Sequence, residues 1–74
     1  MLITIVKVTI NFKIKCTYQL NYDENLKIYE IKKLYIPVSE INNSIIINDG
    51  NIIDNNTLLK NIEKLLENKY LILM

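Results

Sequence analysis

The side chain best suited to nucleophilic chemistry in this sequence is Cys16. A reactive thiolate needs a cation or a base beside it, and the sequence contains no histidine and no arginine. The neighbouring lysines, Lys13 and Lys15, are predicted to point to the opposite face of the same strand, because successive side chains alternate. We therefore predict that Cys16 is an inert core thiol and that the protein is not an enzyme.

The sequence also offers few residues that could bind a metal or a cofactor. Without histidine the commonest metal ligand is missing, and a single cysteine can form neither an intrachain disulfide nor a zinc site. Gly50 is the only glycine, so the sequence contains no glycine-rich loop for a phosphate group. We expect no catalytic residue, no cofactor and no metal.

Length and charge restrict the partners. The 74 residues fit a single domain, residues 1–74, with little room for an enclosed active site. The net charge of +1 is too small and too dispersed to indicate specificity for nucleic acid. No apolar run approaches the roughly 20 residues that cross a bilayer, and Lys7 interrupts the N-terminal stretch before it resembles a signal peptide. We expect a soluble intracellular protein, cytoplasmic or nuclear, that does not bind membranes.

Two strands are predicted within the first 20 residues. Ile3 and Ile5 alternate with their neighbours, and from Ile10 every second residue as far as Leu20 is apolar. The predicted inner face of the second strand comprises Ile10, Phe12, Ile14, Cys16, Tyr18 and Leu20. The turn between the strands has no glycine, and Asn11 is the best candidate for a positive φ.

Residues 26–35 are predicted to form the main helix. Its apolar residues recur at helical spacing, at Ile28, Ile31 and Tyr35. Either Asp23 or Asn25 is expected to be the N-cap. The helix is expected to end by Ile36, because a residue that precedes a proline is disfavoured in the α region, and residues 37–40 then form a connector.

The second half of the chain predicts three further strands and a shorter helix. Asp49-Gly50 separates two short apolar runs, as in a type I′ hairpin. Residues 54–57 offer N-cap side chains for a helix with Glu63 outward. Its inward residues are predicted to be Leu58, Leu59, Ile62, Leu65 and Leu66. Residues 70–74 are fully apolar, which is typical of a central strand parallel to its neighbour.

This order of elements predicts a β-grasp arrangement. The last strand would return beside the first, and the main helix would cross one face of the sheet. The predicted class is therefore α+β, with a mixed sheet of four to five strands, one main helix and a second short helix.

Several short motifs resemble the ubiquitin family in their order and spacing. Ile36-Pro37 follows the helix, and Asp54-Asn55-Asn56-Thr57-Leu58 is similar to the acidic loop of that family, which ends in Thr-Leu. Ile45-Ile46-Ile47-Asn48-Asp49-Gly50 resembles its third strand and turn, and Leu71-Ile72-Leu73 resembles its last strand. The resemblance covers nearly the whole chain, but the chain ends at Met74 without the Gly-Gly tail. It is therefore expected not to be conjugated as it stands.

The resemblance also implies a partner-binding patch on the sheet face away from the helix. Carried over by position, the patch comprises Ile46, Ile72 and Met74, and the inward residues are Ile45, Leu71 and Leu73. An alternative interpretation places all of these residues in the core, because an all-apolar strand does not fix its own orientation.

The sequence therefore predicts a non-catalytic ubiquitin-like module that binds protein partners through an apolar sheet face. Two alternatives stay open. One is a permanent structural subunit of a large intracellular complex. The other is a ubiquitin-like modifier whose Gly-Gly tail is absent from this chain.

Overall fold

A mixed β-sheet with a helix across one face dominates the computed structural model. The structure describes residues 2–62 and 64–74, except for the side chain of Leu66. The strands are β1 (Leu2–Val8), β2 (Ile14–Asn21), β3 (Ile46–Asn48), β4 (Asn51–Ile53) and β5 (Tyr70–Leu73). The helices are α1 (Ile28–Tyr35) and α2 (Leu65–Asn68), with 3₁₀ turns at Val38–Asn43 and Leu59–Asn61. Within the described residues the five strands form one sheet in the order β2-β1-β5-β3-β4. The predicted α+β class and mixed sheet are confirmed.

The central position of β5 follows from its apolar sequence. It pairs in parallel with β1, from Thr4–Tyr70 to Lys7–Leu73, and antiparallel with β3. Neighbours on both sides satisfy its backbone, and its inward residues Leu71 and Leu73 are fully buried, as expected for a central apolar strand. The predicted parallel pairing of the two terminal strands is confirmed.

The core lies between α1 and the inner face of the sheet. Ile28 and Ile31 of α1 are fully buried, as helical spacing predicts. The other members of the main buried cluster come from the sheet and the C-terminal turns: Ile3, Ile5, Ile46, Leu59, Ile62, Leu65, Leu71 and Leu73. Each fully buried side chain of this size contributes about 1.5–3 kcal/mol.

The N-terminal hairpin differs from the prediction at its tip. Strand β2 begins at Ile14 rather than Ile10, and Ile10, Phe12 and Ile14 are exposed, although alternation placed them inward. The positive φ of 60° belongs to Phe12, not to Asn11. The turn closes with Thr9 N–H donating to Lys13 O at 2.8 Å, which carries residues 10–12 beyond the edge of the core. In this part of the chain, the alternation of apolar and polar residues therefore does not predict which side chains are buried.

Helix α1 begins two residues later than predicted and has no side-chain cap. Its N-cap position is Lys27, whereas Asp23 Oδ1 accepts from Asn25 N–H in the preceding turn. The first free amides of the helix, at Ile28 and Tyr29, donate instead to carbonyl oxygens of Thr57 and Asn55, each at 3.0 Å. The helix ends at Tyr35 with Ile36 in an extended conformation, as Pro37 requires.

The second predicted helix is broken in two. Leu58 is extended and forms a bridge with Lys27, and Leu59 N–H donates to Leu26 O at 2.8 Å. This backbone pairing prevents a continuous helix, so only the four-residue α2 is α-helical. Leu59, Ile62 and Leu65 are nevertheless buried, as their spacing predicts. The predicted orientations of Glu63 and of the Leu66 side chain lie outside the described residues.

Candidate functional site

Four apolar side chains lie in a line across the open face of the sheet, the face opposite α1. The strand register pairs Val6 with Ile72, Ile72 with Ile47, and Ile47 with Ile52. Adjacent strands are roughly 4.8 Å apart, so the line extends about 14 Å over β1, β5, β3 and β4. Val6, Ile47 and Ile72 are half-buried, and Ile52 is 68% exposed. We call these four residues the apolar row.

The Ile45–Met74 pair extends this surface at one end. Ile45 N–H donates to Met74 O and Met74 N–H donates to Ile45 O, both at 2.9 Å, so the two residues lie directly opposite each other. Alternation along the strands places their side chains on the same face as Ile47 and Ile72. Both side chains are half-buried.

A cleft of about 650 Å³ opens beside the Ile45–Met74 pair. Its apolar lining includes Val8 and Ile36, and its charged lining includes Lys7, Lys15 and Glu40. The cleft is large enough to accept an apolar side chain of a bound molecule beside the flatter apolar row.

The β2 side of the open face is polar. Gln19 Nε2 donates to Thr4 Oγ1 at 3.1 Å, and Thr17 lies opposite Val6 in the register. The face therefore has an apolar centre with polar residues along one border, an arrangement common at protein interfaces.

The expected open-face position of Ile46 is wrong. Ile46 is 0% exposed and pairs with Leu73 and Ile53 on the core side of the sheet. The physical cause is Asn48, whose buried Nδ2 donates to Asn68 Oδ1 at 3.1 Å and to Tyr70 O at 3.0 Å. These bonds hold residue 48 inward, and a period of two then turns residue 46 inward as well.

The other residues of the expected patch divide as follows. Ile45, expected to point inward, lies instead on the open face. Side chains alternate along the strand, so the inward position of Ile46 turns Ile45 outward. Ile72 and Met74 lie on the open face, whereas Leu71 and Leu73 are buried.

Three members of the apolar row were not anticipated: Val6, Ile47 and Ile52. The Asp49-Gly50 turn could have shown that Ile47 and Ile52 share a face. Both turn residues have positive φ, 51° and 79°, as a two-residue type I′ turn requires. A two-residue turn makes Asn48–Asn51 the first pair and Ile47–Ile52 the second, so Ile47 and Ile52 share a face. The sequence did not show which face that is.

Cys16 lies on the inner side of β2 but is half-buried rather than fully buried. Cys16 Sγ and Tyr18 Oη form a hydrogen bond, with 3.2 Å between the sulfur and the oxygen. The ring of Tyr18 stacks on that of Tyr35 of α1, with ring centroids 4.3 Å apart. The hydrogen bond between Tyr18 and Cys16, together with burial, raises the pKa of Tyr18, and burial raises the pKa of Tyr35.

The raised tyrosine pKa values predict a loss of stability in alkali. A folded-state pKa above the unfolded value means that the unfolded chain ionises first. The stabilising contribution is therefore complete below the ordinary tyrosine pKa, about 10, and is lost as the pH rises through the folded-state value. We expect Tyr35→Phe to make this decline in unfolding free energy shallower, as measured by urea denaturation between neutral and strongly alkaline pH. Equal slopes for wild type and variant would contradict the prediction.

Neither the protein-family models nor the curated protein sequences that were compared with this chain give a match. In the described part of the chain, no three side chains of histidine, cysteine, aspartate or glutamate form a group that could hold a metal ion. Over the same residues, no helix is long and apolar enough to span a bilayer.

Proposed function

We propose that this protein is a non-catalytic, intracellular interaction module with a ubiquitin-like β-grasp fold, and that the apolar row binds a protein partner. The sheet order, with parallel central strands and α1 across one face, is compatible with that fold. The resemblance of the motifs at residues 36–37, 45–50, 54–58 and 71–73 supports the same family.

The observation that carries the proposal is the continuity of the apolar row over four adjacent strands. Its residues belong to three different segments of the sequence, and the fold brings them into lateral register. Contiguous exposed apolar surface on a small domain commonly marks an interaction site.

The spacing of the apolar row suits an amphipathic helix. Side chains at i, i+4 and i+7 of a helix follow one another about every 5–6 Å along one face. The strands that carry Val6, Ile72, Ile47 and Ile52 are about 4.8 Å apart. A helix lying across the strands can therefore place one apolar side chain near each strand, with another entering the cleft beside Met74.

Ile52→Glu tests the proposal at the most exposed member of the row. Because Ile52 is 68% exposed, we expect the free energy of unfolding to change by no more than about 0.5 kcal/mol. A carboxylate within the apolar row should weaken partner binding by about 30-fold or more, the effect of losing an interface hot spot. The measurement is capture of proteins by immobilised wild-type and variant chains, followed by titration of the purified partner.

The matched control is Leu34→Glu, which makes the same chemical change at an exposed position on α1. It should leave binding unchanged. A partner that is lost with Leu34→Glu but retained with Ile52→Glu would place the binding site on the helix and contradict the proposal.

A second candidate, a permanent subunit of a larger assembly, is favoured by the exposed side chains of Ile10, Phe12 and Ile14 at the hairpin tip. A constitutive subunit buries such surface at all times and is often unstable alone. Purification of the chain without a partner separates the two candidates, because a free module remains folded and soluble, whereas a constitutive subunit aggregates.

A further inference from the structure

Strand β2 is a long edge strand whose protection against pairing, a β-bulge and the side chain of Lys15, is confined to its N-terminal end. It contains eight residues, whereas β4, at the other edge of the sheet, contains three. Edge strands expose backbone N–H and C=O groups, and proteins commonly guard them with proline, lysine, β-bulges, inward charges or short length. On the core side of β2 the residues are Ile14, Cys16, Tyr18 and Leu20, none of them charged.

The two sides of β2 specify what can pair with it. Its core side is apolar and incompletely covered: Ile14 is 67% exposed, and Cys16, Tyr18 and Leu20 are half-buried. Its open side carries polar residues, including Thr17 and Gln19. A strand added here therefore needs apolar side chains on the helix side and polar ones on the open side. Strand β2 itself has that pattern.

We propose that β2 pairs with β2 of a second copy of this chain, antiparallel and about a two-fold axis through Tyr18. Directly opposite residues of an antiparallel pair share a face, so the axis must pass through a residue. The middle of Ile14–Asn21 allows Thr17 or Tyr18.

Charge selects between these two registers. An axis at Tyr18 places Cys16 of each copy opposite Leu20 of the other and brings Lys13, just before β2, toward Asp23, just after it. An axis at Thr17 places Lys13 opposite Asn21 and forms no pair of opposite charges. Lys13 directly precedes β2, Asp23 follows it by two residues, and both are exposed, so the Tyr18 register brings one pair of opposite charges together at each end of the interface and no like charges.

The dimer joins two sheets into one continuous sheet of ten strands, five from each copy. The two-fold axis is perpendicular to the sheet, so both apolar rows lie on the same face. A partner with two binding segments then engages both rows, and its second binding event becomes intramolecular. The net charge of +1 per chain opposes this self-association only weakly.

Sedimentation over a wide concentration range tests the proposal with the wild-type chain and three variants. We expect a concentration-dependent dimer for wild type. Lys13→Glu places like charges opposite each other and should raise the dimer dissociation constant about tenfold. Combining it with Asp23→Lys should restore dimerisation, whereas Lys60→Glu, an exposed charge reversal outside β2, should have no such effect.

Hydrogen exchange of the wild-type chain supplies a readout that needs no variant. Amides on the outer edge of β2 should become more protected as the concentration rises, and those of β4 should not. A chain that is monomeric at every concentration overturns the proposal, even if β2 pairs with a strand of another protein. A dimer that is insensitive to Lys13→Glu, or that protects β4 instead, also overturns it.

Discussion

Ile46→Ala is expected to lower the free energy of unfolding by about 2–5 kcal/mol, because it leaves a cavity in the core. Ile46 is 0% exposed and packs in the core with α1 residues and Leu73. Ile52→Ala makes the same chemical change in the neighbouring strand, where the side chain is 68% exposed, and should cost no more than about 0.5 kcal/mol. Urea denaturation of both variants beside wild type measures the difference.

The comparison decides the orientation of β3, on which the proposed binding face depends. If Ile46→Ala were as stable as Ile52→Ala, residue 46 would lie on the open face and the apolar row would be wrongly composed. Ile47→Ala should fall between the two, because Ile47 is half-buried on the open face. The expected order of stability loss is therefore Ile46, Ile47, Ile52.

The parts of the fold that the sequence predicted correctly depend on strong local chemistry. Pro37 ends α1, Asp49-Gly50 supplies both positive φ angles of a two-residue turn, and the run of apolar residues at 70–74 places β5 in the centre of the sheet. In each case the residue type allows few conformations or few environments, so neighbouring sequence is sufficient.

Two of the wrong predictions, the orientation of β3 and the start of α1, depend on contacts between distant segments. Asn48 is buried because Asn68 and the Tyr70 carbonyl accept its amide hydrogens, and those partners lie 20 and 22 residues away in the chain. The start of α1 is likewise satisfied by carbonyl oxygens of the loop at residues 55–57. Local pattern contains no information about such partners, so the orientation of β3 and the start of α1 could not be derived from it.

The structural role of Lys32 could not be predicted from the sequence, because a lysine between apolar positions of a helix is expected to face solvent. Its side chain is only 3% exposed, and Nζ donates to Ser44 O at 2.8 Å and to Asn55 Oδ1 at 2.6 Å. These bonds attach α1 to the segment before β3 and to the loop that caps the helix.

Lys32→Met is expected to destabilise the protein by about 1–3 kcal/mol. Methionine retains the apolar stem but leaves the Ser44 carbonyl and the Asn55 amide oxygen without this donor. Lys33→Met is the matched control on the adjacent, exposed position, where Nζ lies 5.7 Å from the ring centre of Tyr29. It should cost at most about 1 kcal/mol, the value of an exposed cation–π contact.

The pH dependence of the stability lost in Lys32→Met tests whether burial of the Lys32 amine affects its ionisation. Burial lowers the pKa of Lys32, and the carboxylate of Asp54 offsets this effect only in part. Between the folded and the unfolded pKa values the unfolded chain binds the proton that the folded chain has released, so stability rises with pH. This contribution is complete above the unfolded value, about 10.4, and is lost as the pH falls through the folded value. The Lys32→Met variant lacks this contribution, so the difference in unfolding free energy between wild type and variant should widen as the pH rises toward the ordinary lysine pKa. Tyrosine ionisation affects both proteins equally and therefore cancels in the difference. A difference that stays constant over this range, in denaturation curves of the two proteins at matched pH, would show that Lys32 ionises as it does in the unfolded chain.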